Sequence, residues 1–116
     1  DYPYDALSTQ TRQWRRVHSG DALPHVHYVP AGWNPRPLGD PRPAFALPDR
    51  TLWERALQDV AEDLRIIPNL GLPLADGTLQ PAFTIYAWNE FGEGGIVAPT
   101  RGEQEMKLDT IRSVFE

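Results

Sequence analysis

The segment Thr51–Leu64 sets the strongest limit on how this chain folds. Trp53, Ala56, Leu57, Val60, Ala61 and Leu64 recur at the three- and four-residue spacing of a helix, while Glu54, Arg55, Gln58, Asp59, Glu62 and Asp63 fall opposite. Thr51 and Glu54 form a T-x-x-E capping box at its start. A helix with one apolar stripe must bury it against another element, and β-forming segments flank this one. "HVHYVPAGW", His25 to Trp33, predicts a strand ending near Ala31. Ala82 to Trp88 predicts a second strand, apolar enough for burial on both faces. Strand, helix, strand with a crossover of this length implies parallel pairing and an α/β class.

The remaining segments extend this alternation. Ser8 or Thr9 caps a short helix carrying Trp14 and Val17 on one face. "NPRPLGDPRPAFALPD" is a loop, because its five prolines cannot run through a helix interior or a central strand. "PNLGLPLADGTLQP" is a second loop, and "GEQEMKLDTIRSVFE" closes the chain as a helix with Leu108, Ile111 and Phe115 inward. The 116 residues fit a single domain.

Charge and composition exclude several function classes. A net charge of -5, with Arg15-Arg16 the only basic doublet and read as a solvated helix face, argues against a nucleic-acid binder. The absence of cysteine removes disulfides, thiolate metal sites and thiol catalysis, and leaves the compartment open. No apolar run approaches a membrane span and no signal peptide is visible. The start at Asp1 without methionine suggests a processed or excised piece.

Both predicted strands end in sequence suited to ligand chemistry, and in α/β sheets and barrels the carboxyl ends of strands carry the site. After the second strand, "NEFGEGG" offers Glu90 and Glu93 as a candidate catalytic pair, since acid and base roles need two carboxyls in different environments. Gly92, Gly94 and Gly95 permit the turn. Trp33, Trp88 and Phe91 offer flat faces on which sugar rings stack. Asn34, Arg36 and Asn89 offer polar contacts, and Tyr4 is a further candidate for ligand binding. The plain alternative is a solvated glycine turn, tryptophans in the core, and Arg36 pairing only with Asp40. His18, His25 and His27 lack the spacing of a zinc motif, although His25 and His27 share a strand face. No phosphate or dinucleotide loop is present, and the sequence calls for no metal and no cofactor.

"AWNEFGEGG-IVAPT" resembles the W-N-E-x-x-E-G-x-x-x-x-P signature of family-99 glycoside hydrolases and of the related WbsX-like polysaccharide-biosynthesis proteins, and "PAGWNPRP" resembles their G-W-D-x-x-P-R segment. The resemblance covers most of the chain from His25 onward. It implies a (β/α)8 TIM barrel that cleaves α-mannosidic bonds with retention, with Glu90 deprotonating the neighbouring 2-hydroxyl and Glu93 serving as general acid and then base. Phe91-Gly92 stands where the mannosidases carry Trp-His, and Asn34 where many relatives carry aspartate. A barrel needs about 250 residues, so the expectation is a partial domain spanning 1–116. It would be the carboxyl-terminal two to three βα units, completed by a missing amino-terminal segment or by homo-oligomerisation. Three functions stay open: glycosidic hydrolysis of an oligosaccharide or polysaccharide, sugar binding without chemistry, and polysaccharide assembly from an activated donor.

Overall fold

The computed structural model describes residues 1–116. In chain order it comprises α1 (Tyr4–Val17), β1 (His27–Pro30), α2 (Arg50–Ile66), β2 (Leu72–Pro73), β3 (Leu79–Gln80), β4 (Phe83–Tyr86), β5 (Asn89–Glu90), β6 (Gly95–Ile96) and α3 (Met106–Phe115). β1 and β4 pair in parallel, with Val29 opposite Ile85 and Pro30 opposite Tyr86, and α2 lies on the connection between them. The predicted α/β order is therefore observed. β2–β3 and β5–β6 are two short antiparallel pairs, the first lying within the segment expected to be loop. No helix is long and apolar enough to cross a membrane.

The core forms where the stripe of α2 meets the covered face of the parallel pair. Trp53, Leu57 and Val60 are fully buried, joined by Ala56, Val29, Ala31, Val97 and Tyr4. Burial of each large apolar side chain contributes roughly 1.5–3 kcal/mol, so this patch is the main stabilising term. The Trp53 indole N–H donates to the Lys107 carbonyl at 3.2 Å, and the Tyr4 hydroxyl donates to the Pro30 carbonyl at 2.7 Å. Both polar tips are thus satisfied inside the core.

Several expectations are corrected. The cap of α2 is Asp49, whose carboxylate accepts from Leu52 N at 2.8 Å; the helix starts one residue before Thr51, so the capping box is out of phase. α1 begins at Tyr4, ahead of Ser8, and Ser8 bonds the Asp5 carbonyl within the helix instead of capping it. Trp14 and Val17 are exposed, and the buried face of α1 carries Tyr4, Thr11 and Arg15. β4 is not covered on both faces: Phe83 and Ile85 are half-buried while Thr84 and Tyr86 are exposed, because helices back one side only. In α3, Leu108 and Ile111 pack against the core, whereas Phe115 is exposed and tilts onto Phe83 at 5.3 Å between ring centroids. The fully buried positions of α3 are Lys107 and Thr110. The Lys107 ammonium donates to the Ile96 carbonyl at 2.6 Å and pairs with Glu103 at 3.1 Å, which ties α3 to β6.

The largest correction concerns charge. Arg15 is buried rather than solvated, and Asp63, expected on the exposed face of α2, has no exposure. Arg15 reaches Asp63 at 2.8 Å, Arg16 at 3.1 Å and Arg12 at 3.2 Å, while Arg12 also meets Asp59 and Glu62, each at 2.5 Å. Burial alone would raise the Asp63 pKa, but the hydrogen bonds from Arg15 and Arg12 outweigh it and hold the carboxyl below the usual carboxylate range.

Asp63→Ala should therefore lower unfolding stability near neutral pH by about 3–5 kcal/mol, because it strands buried guanidinium charge. A group whose folded pKa is depressed contributes fully above its unfolded value, here 3.8, and loses that contribution as pH falls through the folded value. The stability gap between parent and variant in urea titrations should accordingly narrow below that value. A gap independent of pH would assign the loss to packing alone.

Candidate functional site

The candidate site residues cluster around the carboxyl ends of β1 and β4, where two loops are tied together. The chain leaves β1 through Ala31, whose N–H donates to the Tyr86 carbonyl at 2.7 Å, and continues into Gly32, Trp33 and Asn34. The chain leaving β4 folds into the β5–β6 hairpin, and its turn closes with Glu93 N donating to the Glu90 carbonyl at 3.2 Å. Asn34 N then donates to the Glu93 carbonyl at 2.6 Å, joining the two loops. The approach depends on glycine: a Cβ on Gly32 would stand 2.4 Å from the Gly94 oxygen and 2.8 Å from Leu47.

Beside these loops an open cleft of about 830 Å³ runs along the sheet face that the helices leave bare. Tyr28, Thr84 and Tyr86 project into it from the strands, and Trp33, Arg42 and Phe45 close it from the proline-rich loop. Leu7 and Gln10 of α1 complete its wall. The parallel register explains the strand set, since Tyr28 faces Thr84 and Pro30 faces Tyr86 on one side of the pleat. The Arg42 guanidinium sits 4.8 Å from the Trp33 ring centroid and is paired with Asp40 at 2.6 Å. That bond holds the Asp40 carboxyl below its usual range. The Tyr86 hydroxyl donates to Glu93 Oε2, and this hydrogen bond pushes the phenol up to about 12.

The sequence candidates separate into four groups, the last being Tyr4 alone. Trp33 forms part of the cleft wall, and Glu93 meets the cleft through Tyr86. Glu90, Asn89, Trp88 and Phe91 are exposed on the hairpin side and do not line the cleft. Asn34 and Arg36 form a polar chain of their own: Arg36 Nε donates to Asn34 Oδ1 at 2.9 Å and its head pairs with Asp1 at 2.8 Å. The pairing of Arg36 with Asp40 does not occur, because Arg42 occupies that carboxylate.

Tyr4, expected to contact ligand, is 1% exposed with its hydroxyl committed to Pro30, and burial pushes its phenol above the usual tyrosine value. It serves the core.

Tyr28, Arg42, Phe45 and Tyr86 line the cleft and are not among the candidates the sequence singles out. For the two strand tyrosines the period-two alternation was a usable signal, whereas nothing local marks Arg42 or Phe45. At the other end of β1 the rings of His18, His25 and His27 neighbour one another at 5.8 and 6.3 Å. Both ring nitrogens of His25 lack a protein partner, and no three acidic or histidine side chains are arranged to hold a metal ion.

No protein-family description, no curated protein and no solved structure matches this chain.

Gly32→Ala should force the two strand-end loops apart and lower stability by about 1–3 kcal/mol, the usual cost of overpacking. Gly20→Ala, where a Cβ meets nothing within 4 Å, is the matched control and should leave the urea midpoint nearly unchanged. Equal behaviour of the two variants would show that the loops do not need their close approach.

Proposed function

We propose that the chain is a carbohydrate-active unit, the carboxyl-terminal part of a (β/α)8 barrel, that hydrolyses a glycosidic bond with Glu90 and Glu93. The observation that carries this reading is the joining of the two strand-end loops, which brings Trp33, Tyr86 and Glu93 to one end of a parallel pair. Three features support it. Val29 and Phe83 join the helical core while Tyr28, Thr84 and Tyr86 face the cleft, and α2 lies on the crossover between the parallel strands, as in successive βα units of a barrel. The cleft side of the pair carries the hydroxyls and rings of Tyr28, Thr84 and Tyr86, groups that suit a sugar ligand. The hairpin sets the two glutamates in different surroundings, Glu93 half-buried and bonded to Tyr86, Glu90 exposed.

In this reading Trp33 stacks a sugar ring, and the saccharide lies across the carboxyl ends of the strands beside Tyr86 and the hairpin. The further strands of the barrel come from a preceding segment or from copies of this chain. One observation favours a second reading, saccharide binding without hydrolysis: the cleft wall contains Tyr86 but neither glutamate.

Glu90→Gln and Glu93→Gln, made separately and assayed for release of reducing ends from α-linked mannans, should each abolish turnover while saccharide binding survives. Turnover unchanged in either variant overturns the two-glutamate assignment. Saturable binding without any product, once the strands that complete the barrel are present, selects the second reading.

A further inference from the structure

Tyr86 lies outside the pair of glutamates that the sequence singles out, yet it is the titratable side chain that faces the cleft beside them. Its single hydroxyl proton is directed to Glu93 Oε2. A phenol has one donor, so with that donor committed the oxygen offers only lone pairs to anything in the cleft. Behind it stands a carboxylate. Arg42, the cationic side chain of the cleft wall, does not reverse this polarity, because Asp40 meets its charge at 2.6 Å through Nη2 and at 2.8 Å through Nε. The fixed charges at this end of the cleft are therefore an Arg42–Asp40 pair and an additional Glu93. The chain as a whole is acidic as well, at -5.

We propose that the Tyr86–Glu93 couple is a specificity filter, which accepts a saccharide presenting a hydrogen-bond donor, a hydroxyl or ammonium, and rejects one presenting a carboxylate or sulfate. This inference rests on the carbohydrate reading above and narrows its substrate class to neutral or amino sugars. The physical basis is asymmetric. A ligand hydroxyl turns its proton toward the Tyr86 oxygen at little cost, whereas an anionic oxygen would meet an acceptor backed by a carboxylate and leave both unpaired. Trp33 supplies the stacking area common to all rings, and Tyr86 decides which substituents are tolerated beside it.

The test has two independent readouts on the whole chain. In the first, tyrosine 13Cζ resonances are followed with pH, Tyr86 being assigned by its loss in Tyr86→Phe. The Tyr86 phenol should titrate near 12 in the parent and fall toward the ordinary value of 10.0 in Glu93→Gln. A resonance indifferent to Glu93→Gln overturns the couple whatever the chain binds. In the second, calorimetry compares manno- and gluco-oligosaccharides, chitosan oligomers and oligogalacturonates, on the parent, Tyr86→Phe and Trp33→Ala. The parent should bind the neutral or amino series at least about tenfold more tightly than the acidic one, a difference of roughly 1.4 kcal/mol. Tyr86→Phe should narrow that ratio, and Trp33→Ala should weaken every series together. Equal affinity for acidic and neutral series, or a ratio unchanged in Tyr86→Phe, overturns the filter while leaving the carbohydrate reading intact. An intact couple with no saccharide bound at all overturns the carbohydrate reading and the filter with it.

Discussion

Asp63 is a carboxylate with no exposure on which three arginines of α1 converge, and much of the geometry follows from that contact. An ion cluster of this kind is weak as a source of net stability but strict about position, because displacing Arg15 or Asp63 strands charge in the interior. It fixes α1 along α2. With α1 fixed, Tyr4 reaches Pro30 at the end of β1, and Leu7 and Gln10 form one wall of the cleft. Packing of the α2 stripe positions the sheet behind the site, and the Asp63 cluster positions the helix beside it.

A second constraint acts at the strand ends. The bond from Asn34 to the Glu93 carbonyl and the absence of a side chain on Gly32 bring together segments about sixty residues apart in sequence. Loops that carry function are commonly mobile on a rigid scaffold; here each loop is the other's support. Lys107 adds to this by holding β6 through the Ile96 carbonyl, so the hairpin bearing both glutamates is anchored from the α3 side as well. The orientation of Glu93 therefore depends on β1, on β4 and, through Lys107, on α3.

In the proposed reading, the flat rings, hydroxyls and neutralised cation of the cleft would meet a polyhydroxylated ligand. In that reading the ligand is met at the carboxyl ends of the parallel strands, where Trp33, Tyr86 and Glu93 lie.

The sequence by itself determined the elements whose signal is local and repeated. The stripe from Trp53 to Val60, the strand after His25, the strand before Trp88 and the proline-rich loop were all legible, because periodicity and proline act on neighbouring residues. Much of the core was legible for the same reason, and so was the position of Trp33 and Glu93 beyond the ends of the two strands. The tertiary structure decided what depends on partners distant in the chain. Asp63 and Arg15 read as surface charges until α1 and α2 meet, since a charge is buried only when its counter-charge arrives with it. Tyr4 and Tyr86 are the same residue type with opposite fates. One sits over Pro30 and is enclosed, the other stands on an uncovered pleat beside Glu93, and no local pattern distinguishes them because the difference is which face another element covers.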